Sequence, residues 1–257
     1  MNSKQNLKAP WSELRRPGVA QLSFWAERIL NHLLPRHCIA CGMPSGSGNL
    51  CNPCNAELPR YWQACRKCGL PLYVSGDWAC GVCLKDPPPW QSAIAGLAYR
   101  FPVDQLVCRF KFKRDLACGQ ILGAELLAAI LQHNDSLPQV IVPVPLHRSR
   151  QLSRSFNQAE LLARQVGRGL RVPVQPALLS RLRRTSAQSG LDARERKKNI
   201  KGAFYCQRVV YQHVALLDDV MTTGATLAEC TRALQQAGVS EVSVWVAARA
   251  DNKHPQG

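Results

Sequence analysis

The sequence predicts an α/β protein in which a parallel sheet with helices on both faces follows a small cysteine-rich module. Apolar segments of strand length alternate with helical patterns between residues 90 and 250, which is typical of parallel strands buried on both faces. Eight of the 12 cysteines fall within Cys38–Cys83. The chain has 257 residues, of which 46% are apolar, so it can form one large domain or two unequal ones.

Charge and hydropathy restrict the classes of partner. The 33 Lys and Arg residues outnumber the 17 Asp and Glu residues, for a formal net charge of +16, which attracts polyanions such as nucleic acid, pyrophosphate or sugar phosphates. The longest apolar runs are far shorter than the roughly 20 residues that a transmembrane helix needs. The first residues contain no continuous apolar core of a signal peptide. We therefore expect a cytoplasmic protein without a transmembrane segment.

Residues 1–36 form a predicted N-terminal arm. Its apolar residues recur at the i, i+3, i+4, i+7 spacing of an amphipathic helix, namely Leu22, Trp25, Ala26, Ile29, Leu30, Leu33 and Leu34. The opposite face mixes polar, acidic and basic residues, whereas a helix on a membrane surface favours Lys and Arg there. The pattern therefore favours a helix that docks on the protein itself or on a second copy in a homo-oligomer.

Residues 37–89 form a duplicated cysteine module that predicts two zinc ribbons. Four CxxC pairs follow one another, and two such pairs complete a tetrahedral site of four thiolates. The predicted metal ligands are Cys38, Cys41, Cys51, Cys54, Cys65, Cys68, Cys80 and Cys83. Pairing in chain order fits the repeat best, although the spacing also allows cross-pairing. About two structural Zn²⁺ ions are expected, and the ribbons either serve folding alone or also contact nucleic acid or a partner.

The predicted elements of the α/β domain, residues 90–250, can be assigned in order. Lys85–Trp90, with three consecutive prolines, is a stiff linker that precedes them. The predicted strands are Gly96–Phe101, Val140–Pro145, His213–Asp219 and Glu241–Arg249. The predicted helices are Leu116–Leu131, Phe156–Leu170 and Thr226–Ala237. Residues 251–257 form a tail.

The stretch "VALLDDVMTTGATL" carries the candidate site. An apolar strand runs into two acids, and a loop of Thr and Gly then opens a helix. Ligands of open parallel sheets bind beyond the carboxyl ends of the strands, and the free N–H groups of a helix N-terminus favour anions. The stretch therefore predicts a sugar-phosphate site, with phosphate in the loop and hydroxyls on the acids. An ATPase is excluded because no G-x-x-x-x-G-K-[ST] loop accompanies the strand.

Four motifs in the same order resemble a known family. "VALLDDVMTTGATL" resembles the phosphoribosyl pyrophosphate (PRPP) signature of type I phosphoribosyltransferases. With "VPVPLHRSRQLSRSFNQA", "RRTSAQSGLDARERKKNIKGAF" and the double zinc ribbon, the chain resembles the ComF/GntX family from Cys38 to Arg249. The resemblance implies a type I phosphoribosyltransferase fold with an N-terminal double zinc ribbon, and PRPP with Mg²⁺ as its ligand.

The resemblance also implies roles for individual residues. Asp218 and Asp219 would hold the ribose hydroxyls and the Mg²⁺ that PRPP carries, as catalytic groups. The 5′-phosphate would be wrapped by Thr222, Thr223, Gly224, Ala225 and Thr226. The pyrophosphate would meet Pro145, His147 and Arg148, with Arg154, Asn157 and Gln158 just beyond. The basic segment Arg183–Asn199 would close over the site, with Arg183 and Arg184 as catalytic residues.

Two classes of function follow. A phosphoribosyltransferase would transfer ribose phosphate at the anomeric carbon, but no segment specifies the acceptor. The resemblance also implies a role in DNA uptake during natural transformation or in related nucleotide metabolism, and the alternative is a non-catalytic module that handles single-stranded DNA together with the uptake machinery. "YRFPVDQLVCRFKFKRD" interleaves cations and aromatics as single-strand binders do, although core packing would also explain its aromatics. Its candidate residues are Arg109, Lys111, Phe112, Lys113 and Arg114.

Overall fold

The computed structural model describes residues 36–46, 48–61, 63–72, 79–133, 136–146, 156–182 and 200–251. By its contacts the chain divides into two compact units, one ending at Asn55 and one beginning at Ala56. The first ribbon belongs to the first unit, and the second ribbon shares the second unit with the α/β domain. The helix predicted in the N-terminal arm lies outside the described residues.

The two ribbons repeat one turn geometry. In the first ribbon the N–H of Cys38 donates to Met43 O at 2.7 Å, and in the second the N–H of Cys65 donates to Leu70 O at 2.7 Å. The glycine after each CxxC has a positive φ, 77° at Gly42 and 69° at Gly69, which glycine adopts without a steric penalty. The described elements of the ribbons are strands β1 (Arg36–His37) and β2 (Pro44–Gly46) and helices α1 (Asn52–Ala56) and α2 (Gly81–Lys85).

The α/β domain is built on a four-stranded parallel sheet in the order β3-β8-β7-β4. Its strands are β3 (Ser92–Ala98), β4 (Val140–Pro143), β7 (His213–Met221) and β8 (Glu241–Arg249). A separate antiparallel pair, β5 (Leu179–Arg181) and β6 (Phe204–Cys206), flanks residues 183–199. The helices are α3 (Val103–Phe112), α4 (Leu116–His133), α5 (Gln158–Leu170) and α6 (Ala225–Gln236).

Helices cover both faces of this sheet, as the apolar strands predict. One face packs α6 and the β5–β6 pair into a core with alternate residues of the strands, including Val142, Leu216 and Val244. Helices α4 and α5 contact the sheet and each other, and α3 contacts α4. The intervening strand residues, such as Ile141 against Gly167 of α5, face these helices. The predicted fold class is therefore confirmed.

The boundaries differ from the predicted ones where tertiary contacts decide them. Strand β3 ends at Ala98, so the predicted strand Gly96–Phe101 was placed too late. Strand β7 continues past the two acids to Met221, because it still pairs with β8 as far as Arg249. Helix α3 was not predicted at all, since its short pattern lies among basic and aromatic residues.

Among the described residues, α4 alone has the length and mean hydropathy, 1.3, of a helix that could cross a membrane. It contacts β3, β8, α3 and α5, and its residues Leu122, Leu126 and Ile130 are fully buried in those contacts. Core helices of globular domains have the same composition.

Helix α4 approaches the sheet at Gly96, and this contact gives a stability prediction. A Cβ on Gly96 would lie 2.9 Å from the backbone N of Leu126 and 3.1 Å from Ala247 O. Backbone cannot yield easily, so we expect Gly96→Ala to cost about 1–3 kcal/mol and lower the Tm by roughly 2–4 °C per kcal/mol. Gly81→Ala is the control, because its Cβ meets nothing within 4 Å. Equal melting of both variants would contradict the close approach.

Candidate functional site

Two adjacent acids, Asp218 and Asp219, lie near the carboxyl end of β7. Successive side chains of a strand point to opposite faces. Asp218 therefore continues the row of Leu216 toward α6 and β5, whereas Asp219 points toward α3. Partner strand β4 pairs with β7 only as far as Pro143 and Leu217, so β7 has an open edge at the acids.

Each acid has a cation on its own face. On the α3 face, Lys111 Nζ lies 3.0 Å from Asp219 Oδ2, with side chains 21% and 13% exposed. On the other face, Arg181 in β5 is one of the cations whose charge favours the ionised form of Asp218. Such alternation lets two neighbouring carboxylates occupy one strand end, because cations from separate parts of the chain act on them.

The balance at Asp218 still favours protonation. Burial raises the pKa of Asp218 to about 7, and repulsion from Asp219 adds to the effect. Lys111, the backbone N–H of Asp219 and Arg181 act against it, and that N–H donates to Asp218 Oδ1 at 2.8 Å. The carboxyl of Asp218 therefore keeps its proton to a higher pH than an ordinary carboxyl does, and a cation or a hydroxyl donor would stabilise its ionised form.

The loop that follows the acids provides the anion-binding part of the site. We call Thr222–Thr226 the threonine loop. Gly224 is the N-cap of α6 in a left-handed conformation, with φ of 76°. Among the described side chains, Thr223 accepts at this helix N-terminus, with Ala225 N donating to its Oγ1 at 3.4 Å. The first N–H groups of a 12-residue helix thus face the pocket, where they favour a phosphate.

Acids and loop line one pocket of about 300 Å³, within the usual size of small-ligand sites. The N-terminus of α5 borders the same pocket, where Asn157 caps the helix by accepting from Ala159 N at 3.1 Å. The amide of Asn157 also donates to Val144 O at 3.1 Å, so this side chain fixes the segment after β4. The described lining includes Tyr99, Lys111, Val144, Pro145, Leu146, Asn157, Gln158, Arg181, Asp218, Asp219 and the threonine loop.

The structure brings together the described part of the predicted PRPP site and adds to it. Predicted residues His147, Arg148, Arg154, Arg183 and Arg184, with the closing segment Arg183–Asn199, lie outside the described residues. The sequence analysis did not place Tyr99 or Arg181 in the site. No sequence signal marks Tyr99, whereas Arg181 lies two residues before the basic segment, separated from Arg183 by Leu182. Both reach the pocket only through the tertiary fold.

The predicted nucleic-acid residues divide into two groups. Arg109 forms an ion pair with Asp115, Nη2 to Oδ2 at 2.6 Å, and Lys111 belongs to the acid pocket. In contrast, Phe112 is 68% exposed at the end of α3, and Lys113 and Arg114 beside it are exposed as well. The aromatic residues of this segment also differ in exposure, because Phe110 is buried in the core.

The eight predicted zinc ligands form two clusters in chain order. Cys38, Cys41, Cys51 and Cys54 make one, and Cys65, Cys68, Cys80 and Cys83 the other, with all sulfur atoms of a cluster within 4.8 Å of one another. Zn–S bonds of roughly 2.3 Å put tetrahedral sulfur atoms about 3.8 Å apart. The Sγ atoms of Cys41 and Cys51 lie 3.6 Å apart, and those of Cys68 and Cys80 3.7 Å apart. Both clusters therefore fit structural Zn²⁺.

The acid–base behaviour of the thiols supports a dication. In the second cluster, burial acts to raise the pKa of Cys80, but hydrogen bonds from Cys83 and other thiols outweigh it and hold it at about 7. Burial and the charges of neighbouring thiolates raise the pKa of Cys83 far above its usual value. Four thiols this close cannot all ionise alone, and Zn²⁺ binding is what makes them do so.

The raised pKa of Asp218 gives a testable pH dependence. Between about pH 4 and 7 folded Asp218 keeps a proton that the unfolded chain has released, so the free energy of unfolding falls as pH rises through this window. Asp218→Asn removes that loss. We expect the variant to gain Tm over wild type as pH rises from 5 to 8, by about 2–4 °C for each kcal/mol. Asp104→Asn, outside the pocket, should show no such trend; a flat Tm difference for Asp218→Asn would contradict the assignment.

Comparisons with known proteins agree with this architecture. A family model for the double zinc ribbon domain matches residues 29–84. Over 223 residues the chain is 36% identical to Competence protein F of Haemophilus influenzae, covering 83% of this chain and 96% of that protein. It is 35% identical to DNA utilization protein YhgH of Escherichia coli K12, covering 84% and 98%. Competence protein ComFC of Bacillus subtilis is 25% identical over 203 residues, or 74% and 79%.

The first two relatives are matched over 96% and 98% of their length, so the similarity extends over both the ribbons and the α/β domain. Two four-cysteine clusters, a parallel sheet covered on both faces and the acid pair before the threonine loop occur in the order that the four motifs predict. The chain belongs to the ComF/GntX family, whose members join a double zinc ribbon to a type I phosphoribosyltransferase domain.

Proposed function

We propose that this protein binds PRPP together with Mg²⁺ in the pocket at the carboxyl end of β7, and that it acts in the uptake or use of DNA. One observation carries the ligand: an adjacent acid pair and the threonine loop line the same pocket of about 300 Å³. A ribose 5-phosphate needs a phosphate site next to hydroxyl acceptors, and this pocket offers both. The names of the relatives, competence protein and DNA utilization protein, support the biological role.

The described residues have distinct parts in this binding. The N-terminus of α6 and the hydroxyls of Thr223 and Thr226 receive the 5′-phosphate. Asp218 and Asp219 accept hydrogen bonds from the ribose hydroxyls and hold Mg²⁺, which neutralises the pyrophosphate leaving group in this chemistry. Lys111 neutralises Asp219 in the free protein. Ligand binding would therefore exchange the Lys111–Asp219 ion pair for a contact between Asp219 and Mg²⁺, and the carboxylate would not be left without a cation. Arg181 adds positive charge for the pyrophosphate.

If transfer follows, these residues position the ligand and hold its charge, and none of them forms a covalent bond. Positioning and electrostatic stabilisation account for much of the rate in reactions of this kind. A transferase would release pyrophosphate when the acceptor is added, and a binding module would hold PRPP intact.

The ligand proposal is tested by isothermal titration calorimetry with PRPP and Mg²⁺. A hydrogen bond to a charged group contributes about 1.5–3 kcal/mol, so Asp219→Asn should weaken binding roughly 10- to 100-fold. Thr223→Val should weaken it several-fold. Glu241→Gln is the matched control, because Glu241 lies at the amino end of β8, away from the pocket. Tight binding that survives an Asp218→Ala/Asp219→Ala double substitution would place the ligand elsewhere.

A second candidate function is the handling of single-stranded DNA. The exposed ring of Phe112 (68%), beside Lys113 and Arg114, supports it. Base stacking on an aromatic contributes about 1–3 kcal/mol, and each phosphate contact releases counterions. These three residues follow Lys111 directly, so the surface they form borders the acid pocket. We call Phe112–Arg114 the basic-aromatic corner.

The corner is tested by fluorescence anisotropy with a labelled single-stranded 30-mer at several salt concentrations. Lys113→Gln should reduce the salt slope by about one. Phe112→Ala should lower the affinity for DNA without changing the salt slope. Because the Phe112 ring is exposed, we expect this substitution to leave the fold intact. The matched control is Leu131→Ala, another exposed apolar residue, 67% exposed on α4. Absence of binding at micromolar protein near physiological salt would reject this candidate and leave the small-molecule function.

A further inference from the structure

The second ribbon is joined to the α/β domain through the turn that carries two of its zinc ligands. We call Cys65–Gly69 the zinc knuckle. Its three central carbonyls each accept a hydrogen bond from the α/β domain: Arg66 O from Ala93 N at 2.7 Å, Lys67 O from Trp90 Nε1 at 2.6 Å, and Cys68 O from Arg249 Nε at 2.7 Å. The knuckle is therefore held along its whole length by the domain that contains the acid pocket.

Arg249 connects the knuckle to the start of the threonine loop. It is the last residue of β8, pairs in register with Met221 of β7, and is 7% exposed. Besides its bond to Cys68 O, its Nη1 donates to Thr222 O at 2.6 Å and to Met221 O at 3.1 Å, and also to Ala250 O. The guanidinium thus bridges a carbonyl of a zinc ligand and a carbonyl of the threonine loop.

Trp90 makes a second, independent connection. Its ring is 5% exposed and packs so closely on the threonine loop that a Cβ on Gly224 would lie 3.0 Å from Trp90 Cη2. The indole N–H of the same ring donates to Lys67 O. The left-handed N-cap of α6, which sets the direction of the phosphate-facing N–H groups, therefore rests on a side chain that is bonded to the knuckle.

We infer that the second zinc site and the threonine loop form one coupled unit, in which Arg249 and Trp90 are positioning residues that make phosphate binding depend on zinc at Cys65, Cys68, Cys80 and Cys83. The phosphate ligand rests on the proposed function. Zinc fixes the conformation of a CxxC turn, which has little core of its own. When the turn relaxes, Lys67 O and Cys68 O leave their donors, and a buried guanidinium that has lost an acceptor shifts the loop it also holds.

Cluster variants of the full chain separate the two zinc sites. Cys80→Ser/Cys83→Ser removes the second site, and Cys51→Ser/Cys54→Ser removes the first, which belongs to the other compact unit and is the matched control. Each variant should retain about one zinc by elemental analysis. We expect the second-site variant to bind Mg²⁺–PRPP roughly 10-fold or more weakly, within the usual range of coupling between sites, and the first-site variant to bind like wild type. Equal effects of both variants, or none, would overturn the inference.

Hydrogen exchange reads the same coupling without a ligand. Residues 220–227 should exchange faster in the second-site variant than in the first-site variant, while residues 214–217 of the β7 core exchange at the same slow rate in both. If wild type fails to bind PRPP, the proposed function is wrong and this measurement still decides the coupling. Unchanged exchange at residues 220–227 would reject it.

The positioning residues are tested in zinc-loaded protein, which excludes loss of the metal as the cause. Trp90→Phe keeps a ring against Gly224 but removes the donor to Lys67 O, and Arg249→Lys keeps the charge but removes the fork that reaches both carbonyls. Each should weaken Mg²⁺–PRPP binding with both zinc ions retained. In the Trp90→Phe/Arg249→Lys background, loss of the second zinc should weaken Mg²⁺–PRPP binding little further, because the contacts that connect the knuckle to the threonine loop are already lost. If the effects of the double substitution and of zinc loss on binding were fully additive, the two would act independently and the inference would be wrong.

Discussion

Side-chain alternation along β7 is the constraint on which the site depends. The strand is buried on both faces, and successive side chains along it point to opposite faces. Asp218 and Asp219 therefore point to opposite sides of the sheet. Asp219 is consequently paired with Lys111 on the α3 side, whereas burial and the charge of Asp219 raise the pKa of Asp218 on the α6 side, against the weaker effects of Lys111 and Arg181. A one-residue shift of register would exchange these environments and separate Asp219 from Lys111.

The same arrangement explains why the free pocket can remain folded while holding two acids. Burial and repulsion raise the pKa of Asp218 to about 7, so a proton supplies part of the compensation that a bound cation would give. The site thus keeps its polar groups in place at a cost in stability, as functional sites commonly do. In the proposed function, a ligand that brings Mg²⁺ and hydroxyl donors would take the place of this proton and of Lys111.

Local patterns predicted the parts of the molecule that local interactions determine. The CxxC spacing, the apolar runs of β7 and β8 and the threonine loop each carry their own signal, and the structure has them where the sequence indicates. Lys111 could not be placed, because its partner lies more than 100 positions along the chain and α3 is too short and too basic to stand out. Arg249 could have been placed near the site from the sequence. It is the last residue of a predicted strand, and ligands of parallel sheets bind where the carboxyl ends of the strands meet.

The two ribbons have the same knuckle geometry but different surroundings. The carbonyls of Cys65–Gly69 bond to Ala93, Trp90 and Arg249, and the cluster they belong to lies in the compact unit of the α/β domain, whereas the first cluster lies in the other unit. The repeat therefore has unequal surroundings: the turn of the second cluster is hydrogen-bonded to Trp90 and Arg249, which also contact the threonine loop. Trp90 illustrates this difference. It is the last residue of the predicted proline-rich linker, and its buried ring contacts both the zinc knuckle and the N-cap of α6.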